Sequence, residues 1–95
     1  MDGEWVKPLV PSRQWRYYRN IEGKRTCVIN YSGGSYLGDG WPTSIIILAH
    51  GEALIYNGEY TREEALQFYR IAVNAENSTT AHRAVLTYMR MRGMK

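Results

Sequence analysis

The chain is expected to fold as one small α+β domain: a four-stranded, mostly antiparallel sheet followed by two C-terminal helices packed on one face. Three observations predict it. Runs of aromatic and β-branched residues, punctuated by Gly, Asn and Pro, occupy the chain up to residue 60. A capping box then opens one helical period of apolar residues, and a second such period ends before Gly93. Ninety-five residues, 44% hydrophobic and 22% charged, suffice for one core and leave no material for another.

Residues 1–12 contain Pro8 and Pro11 without sustained periodicity, so they are expected to form an extended N-terminal arm anchored by Trp5 and Val6, with the domain itself spanning 13–95. The run QWRYYRN over 14–20 predicts a first strand, 21–24 a turn, and 25–31 its hairpin partner. Residues 32–41, SGGSYLGDGW, hold four glycines and predict a loop or an irregular hairpin tip. A third strand is expected over 43–49, after Pro42, and its unbroken Ile45-Ile46-Ile47 suggests a central strand covered on both faces. His50-Gly51 makes a short break, 52–56 reads as a fourth strand, and Asn57-Gly58 ends it.

Thr61-Arg62-Glu63-Glu64 is a capping box, so a helix starts at Arg62. Ala65, Leu66, Tyr69, Ala72 and Val73 make its apolar stripe, and Glu63 and Glu64 suit the positive end of its dipole. Residues 74–80 are rich in turn and N-cap types, and a second helix is expected over 80–92. Its stripe is Ala81, Ala84, Val85, Tyr88 and Met89, with Arg83, Arg90 and Arg92 off it and Gly93 as the stop.

The chemistry-bearing residues point to binding without catalysis. Cys27 lies mid-strand with no CxxC partner, which suits a buried structural thiol, and a single cysteine fits a reducing, cytoplasmic setting. His50 and His82 belong to no metal-ligand spacing, and Glu63 and Glu64 are explained by capping, so no catalytic residue, metal or cofactor is assigned. The longest apolar run, 45–49, is far short of the roughly 20 residues that span a bilayer, so no membrane partner is expected. Acids at Asp2 and Glu4 argue against a signal peptide. The glycine-rich loop lacks the GK[ST] ending of a phosphate-binding loop and reads as a hairpin tip, or alternatively as a binding loop displaying Tyr36, Leu37 and Trp41.

The net charge of +3 is unevenly spread. Residues 7–25 carry six basic side chains against Glu22 alone, and 80–95 carry four with no acid, whereas 26–79 hold two against six acids. If the two ends meet in space, they form one basic surface. Arginine outnumbers lysine nine to three, and its planar fork suits phosphate, carboxylate and ring contacts. Eight tyrosines and three tryptophans stand against one phenylalanine, a bias towards rings with a polar handle. Over 13–19 these rings interleave with arginine, so one strand face offers Trp15, Tyr17 and Arg19 and the other Arg16 and Tyr18.

The first functional expectation is therefore a nucleic-acid-binding module using Arg13, Arg16, Tyr18, Arg19, Lys24 and Arg25, with Tyr36 and Trp41 from the loop and Arg83, Arg90 and Arg92 from the last helix. The second is a small inhibitor or adaptor, of the kind phages encode against host machinery such as CRISPR complexes. It would place the same surface on an acidic or nucleic-acid-binding protein. A small enzyme or ligand binder with its site in the loop ranks below both. Self-association as a homo-oligomer, through a strand edge or through Met89, Met91 and Met94, is compatible with each. The junction GEYTREEALQFY over 58–69 resembles that of three-stranded-sheet-plus-helix DNA binders such as the integrase arm-binding domain, a likeness that implies DNA as the ligand.

Overall fold

Two-residue turns with left-handed backbone set the hairpins. Glu22 and Gly23 have φ of 52° and 82°, and His50 and Gly51 have φ of 56° and 73°, the pairing that matches the twist of antiparallel strands. Asn20 Oδ1 also accepts from the Gly23 amide at 2.8 Å. The computed structural model describes residues 3–33 and 42–93. It consists of β1 (Gly3–Val6), β2 (Trp15–Ile21), β3 (Lys24–Gly33), β4 (Thr43–Ala49), β5 (Glu52–Gly58), α1 (Arg62–Asn74) and α2 (Ser78–Met91). The strands form one antiparallel sheet in chain order, β1-β2-β3-β4-β5.

The sheet thus has five strands rather than the expected four, because part of the N-terminal arm pairs with β2 from Gly3↔Arg19 to Val6↔Arg16. Four residues are too few to show a period, but their packing is specific. The Trp5 ring meets Tyr17 edge-on at 5.1 Å and Tyr31 at 6.3 Å. A Cβ at Gly3 would fall 2.4 Å from Tyr17 Cζ, so only glycine lets the two strands close over that ring. β3 also runs further than expected, taking in Ser32 and Gly33 opposite Ser44 and Thr43.

Both helices lie on one face, α1 over β3 and β4, and α2 against α1 and β5. Strand alternation sends Trp15, Tyr17, Ile29, Tyr31, Ile45, Ile47, Leu54 and Tyr56 to that face, where they meet Ala65, Phe68, Tyr69, Ala72, Ala81, Val85 and Met89. The expectation that β4 is covered on both faces is therefore corrected: Thr43, Ile45, Ile47 and Ala49 are buried, whereas Leu48 is 46% exposed and Ile46 only half-buried. An unbroken apolar run reads alike for one covered face or two, and the chain supplies helices for one.

Helix α1 starts where expected. Thr61 Oγ1 accepts from the Glu64 amide at 3.1 Å and Glu64 Oε1 from the Thr61 amide at 2.7 Å. Its buried stripe is centred on Phe68, which the expected stripe lacked, while Leu66 and Val73 are half-buried at its margins. At the other end the Ala72 carbonyl accepts from the Ala75 amide at 3.2 Å and pairs with His50 Nε2 at 2.8 Å, so the β4–β5 turn ties down the last turn of α1. Helix α2 begins two residues before the expected start, because Asn77 is the cap and accepts from the Thr80 amide at 2.8 Å.

Polar groups inside the core are paired. Thr43 Oγ1 donates to the Gly58 carbonyl at 3.0 Å and accepts from the Tyr60 amide at 3.3 Å, while the Tyr31 hydroxyl donates to the Tyr60 carbonyl. The Tyr60 hydroxyl reaches Met89 Sδ at 3.7 Å. These bonds join β3, β4, the entry to α1, and α2 at one point. Thr43→Val keeps the shape of the side chain but removes its bonds to the Gly58 carbonyl and the Tyr60 amide, and is expected to cost about 1–3 kcal/mol in urea unfolding. Burial pushes the Tyr56 hydroxyl up to about 12 and the Tyr60 hydroxyl upward as well. The folded chain therefore holds these protons more tightly than the unfolded chain, whose tyrosines titrate near 10. The stability they contribute is complete below about pH 10 and is expected to fall between there and about pH 12. Thermal melts across that window should show the fall, and Tyr56→Phe should lessen it.

Candidate docking surface on the open sheet face

The same alternation that fills the core sends every second residue to the face without helices. Val6, Arg16, Asn30, Ile46 and Ile55 align as one row across all five strands. Beside it run Glu4, Tyr18 and Cys27 on β1 to β3, and Leu48 and Ala53 on β4 and β5. The face is thus divided. Its β1–β3 half carries guanidinium groups, a phenol ring and an amide beside Val6, and its β4–β5 half carries aliphatic groups beside the Ser44–Asn57 pair, with Leu48 46% and Ile55 56% exposed.

On the polar half, the Arg25 guanidinium carbon lies 4.0 Å from the centre of the Tyr18 ring, and Arg25 Nη2 lies 3.5 Å from Glu4 Oε1. Both charged ends of that pair are largely exposed, so it orients Arg25 more than it stabilises the fold. Arg16 Nη2 donates to Gln14 Oε1 at 3.0 Å. A register shift between Tyr17 and Tyr18 leaves Val28 as the extra residue of a β-bulge in β3, which brings Cys27 opposite Tyr18. Burial raises the Cys27 pKa, the nearby Arg16 charge and the bond from Sγ to the Ile29 carbonyl opposing only in part, so at neutral pH it is a thiol and a weak nucleophile. Cys27 is half-buried rather than fully buried.

Of the residues expected to bind, Arg16, Tyr18 and Arg25 converge on this face, with Lys24 exposed at the hairpin end and Arg13 exposed ahead of β2. Arg19 does not join them. It points to the helix side, where Nη1 donates to the Tyr69 hydroxyl at 2.9 Å. Trp15 is buried on the same side, its ring centre 3.7 Å from the Arg62 guanidinium carbon. Arg83 and Arg90 sit on α2 and Arg92 caps its end, in the other layer, with Arg90 Nη2 3.5 Å from Thr87 Oγ1 and the Arg92 guanidinium 5.4 Å from the Tyr88 ring. Arg16 and Arg25 therefore lie in the opposite layer from Arg83, Arg90 and Arg92. Tyr36 and Trp41 lie outside the described residues.

The histidines are engaged separately, His50 with the end of α1 and His82 through Nδ1 with the Tyr56 hydroxyl at 3.1 Å, their rings 5.5 Å apart and nearly parallel. Among the described residues no three His, Cys, Asp or Glu side chains gather as metal ligands, and no helix is long and apolar enough to cross a membrane. Asn30, Ile46, Leu48 and Ile55 were not among the expected contact residues. For Ile46 and Leu48 the signal was present in the alternation of 43–49 once only one face is taken as covered.

The likeness at 58–69 to the sheet-plus-helix DNA binders is confined to a capped strand-to-helix junction, since here a five-stranded sheet precedes it and a second helix follows. No family model, curated protein or solved structure matches the chain.

Proposed function

We propose that the protein is a non-enzymatic binding module that docks the open face of its sheet on another protein, as a stoichiometric inhibitor or adaptor. The observation that carries this reading is the exposed pair Leu48 and Ile55 beside Ile46 and Ala53, with Ile46 and Ile55 in the row of Arg16 and the Arg25–Tyr18 stack on the same face. Large aliphatic groups in water gain only by being covered, at about 25 cal/mol per Å² of apolar area removed from solvent. Arginine and tyrosine beside such a patch are the types that dominate protein interfaces. The fitting partner surface presents apolar side chains next to carboxylates.

Nucleic acid is the second reading, favoured by the Tyr18 ring lying beside Arg16 and Arg25 on an open sheet. It asks less of the β4–β5 half, where neither phosphates nor base edges gain from isoleucine and leucine.

The two readings separate in one comparison. A face variant, Arg16→Glu with Leu48→Glu, and a helix-layer control, Arg83→Glu with Arg90→Glu, are compared with the native chain. Nuclease-treated cell lysate and labelled oligonucleotides over a salt series serve as probes. A partner protein retained in one-to-one amounts by the native chain and the control, and lost by the face variant, is the expected result. Equal retention by the face variant would refute docking through this face. Oligonucleotide binding that weakens with salt and collapses in the face variant would replace the protein reading with the nucleic-acid one.

A further inference from the structure

The two edges of the sheet are built differently. β1 is four residues long and runs into exposed Lys7 and then Pro8, which are common guards against strand addition. β5 carries no such guard. Its seven residues, EALIYNG, contain no Pro, Lys or Arg, and they pair with β4 from Glu52 to Gly58 without a register shift. β5 ends the strand order, so among the described residues no further strand pairs with its outer main-chain donors and acceptors. The middle of this edge is apolar on both faces, with Glu52 and Asn57 towards its ends. Ile55 is 56% exposed on the open face, and on the helix side Leu86 of α2, the helix packed against β5, is 39% exposed.

We infer that β5 is a homodimer interface, pairing antiparallel with β5 of a second copy about a two-fold axis at Ile55. The strand is complementary to itself in that register. All seven residues overlap, with Ile55 opposite Ile55, Ala53 opposite Asn57, Leu54 opposite Tyr56, and Glu52 opposite Gly58. No charge faces a like charge directly across the axis. Residues 53, 55 and 57 stay on the open face and 54 and 56 on the helix face in both copies, so the two helix layers end on the same side. The product is a continuous sheet of twice five strands, in which the patches of Ile46, Leu48 and Ile55 from both copies join across the axis. This inference stands without the docking reading, since it concerns the edge and not the face. Pairing of one short strand covers less than the roughly 1,200 Å² of a standard interface, so the dimer is expected to dissociate on dilution, in the micromolar range.

Sedimentation equilibrium of the full chain across a wide concentration range tests the association. The expected mass rises from 11.0 kDa towards twice that value. Ile55→Lys should weaken dimerisation at least tenfold while keeping the far-UV spectrum of the native monomer. Disulfide trapping in a Cys27→Ser background fixes the geometry. Facing Cα atoms in an antiparallel pair are about 4.5–5.5 Å apart, within disulfide reach, so Ile55→Cys should cross-link on mild oxidation. Ile46→Cys lies one strand further in, about 14 Å from its counterpart at three strand spacings, and should not. A mass that stays monomeric throughout, an Ile55→Lys variant that dimerises normally, or cross-linking at position 46 as ready as at 55 would each overturn the inference.

Discussion

Two helices, of 13 and 14 residues, have to serve a sheet of five strands. Five strands spaced about 4.8 Å apart make a surface roughly 20 Å wide, and two helices side by side, each about 10 Å across, cover one such surface once. The shortest extent of the molecule, 19 Å, is that of one helix layer on one sheet layer. Everything else depends on which face receives the helices. Between the covered face and the helices, Tyr31, Ile29, Ile45 and Ile47 of the sheet and Phe68, Tyr69 and Val85 of the helices have almost no exposure. Apolar residues of opposite parity are left in water.

That shortage of cover gives the open face its character. Ile46 and Ile55 are in register on neighbouring strands, and Leu48 faces Ala53 beside them, so their exposure is a property of adjacent positions and not of scattered residues. Arg16 and Asn30 continue the row into the polar half. The basic charge of the two chain ends is shared between layers, with Arg16 and Arg25 on the sheet and Arg83, Arg90 and Arg92 on α2 and its C-cap. A partner that touches one layer meets only part of the positive charge.

Much of this architecture was legible in the residues. Local chemistry marked the capping box at Thr61 and Glu64, the Glu22-Gly23 and His50-Gly51 turns, and the parity of Trp15, Tyr17 and Arg19 against Arg16 and Tyr18. What escaped depends on distant partners. β1 exists because Trp5 finds Tyr17 and Tyr31, and four residues carry no period that could announce it. Parity alone does not say which side of β2 goes inward, and Arg19 follows Trp15 and Tyr17 because Tyr69 waits for it on α1. The abundance of tyrosine suggested a wet interface, yet Tyr31, Tyr56 and Tyr60 are core residues whose hydroxyls serve a carbonyl, an imidazole and a thioether. Phenylalanine would fill the same volume and leave those polar groups without that partner. The candidate site was half legible: its cations and ring could be named, but its aliphatic half looked like core.

The one-sided cover of the sheet can be measured directly. With the isoleucine methyl groups labelled, a soluble paramagnetic relaxation agent that does not bind the protein reports which of them meet solvent. Three consecutive residues, Ile45, Ile46 and Ile47, carry the contrast, with the first and last fully buried and the middle one on the open face. Strong relaxation of Ile46 and Ile55 with Ile45, Ile47 and Ile29 spared is the expected result. Equal protection of all three methyls in the run would mean that β4 is covered on both sides, and would contradict the open face on which the account of binding rests.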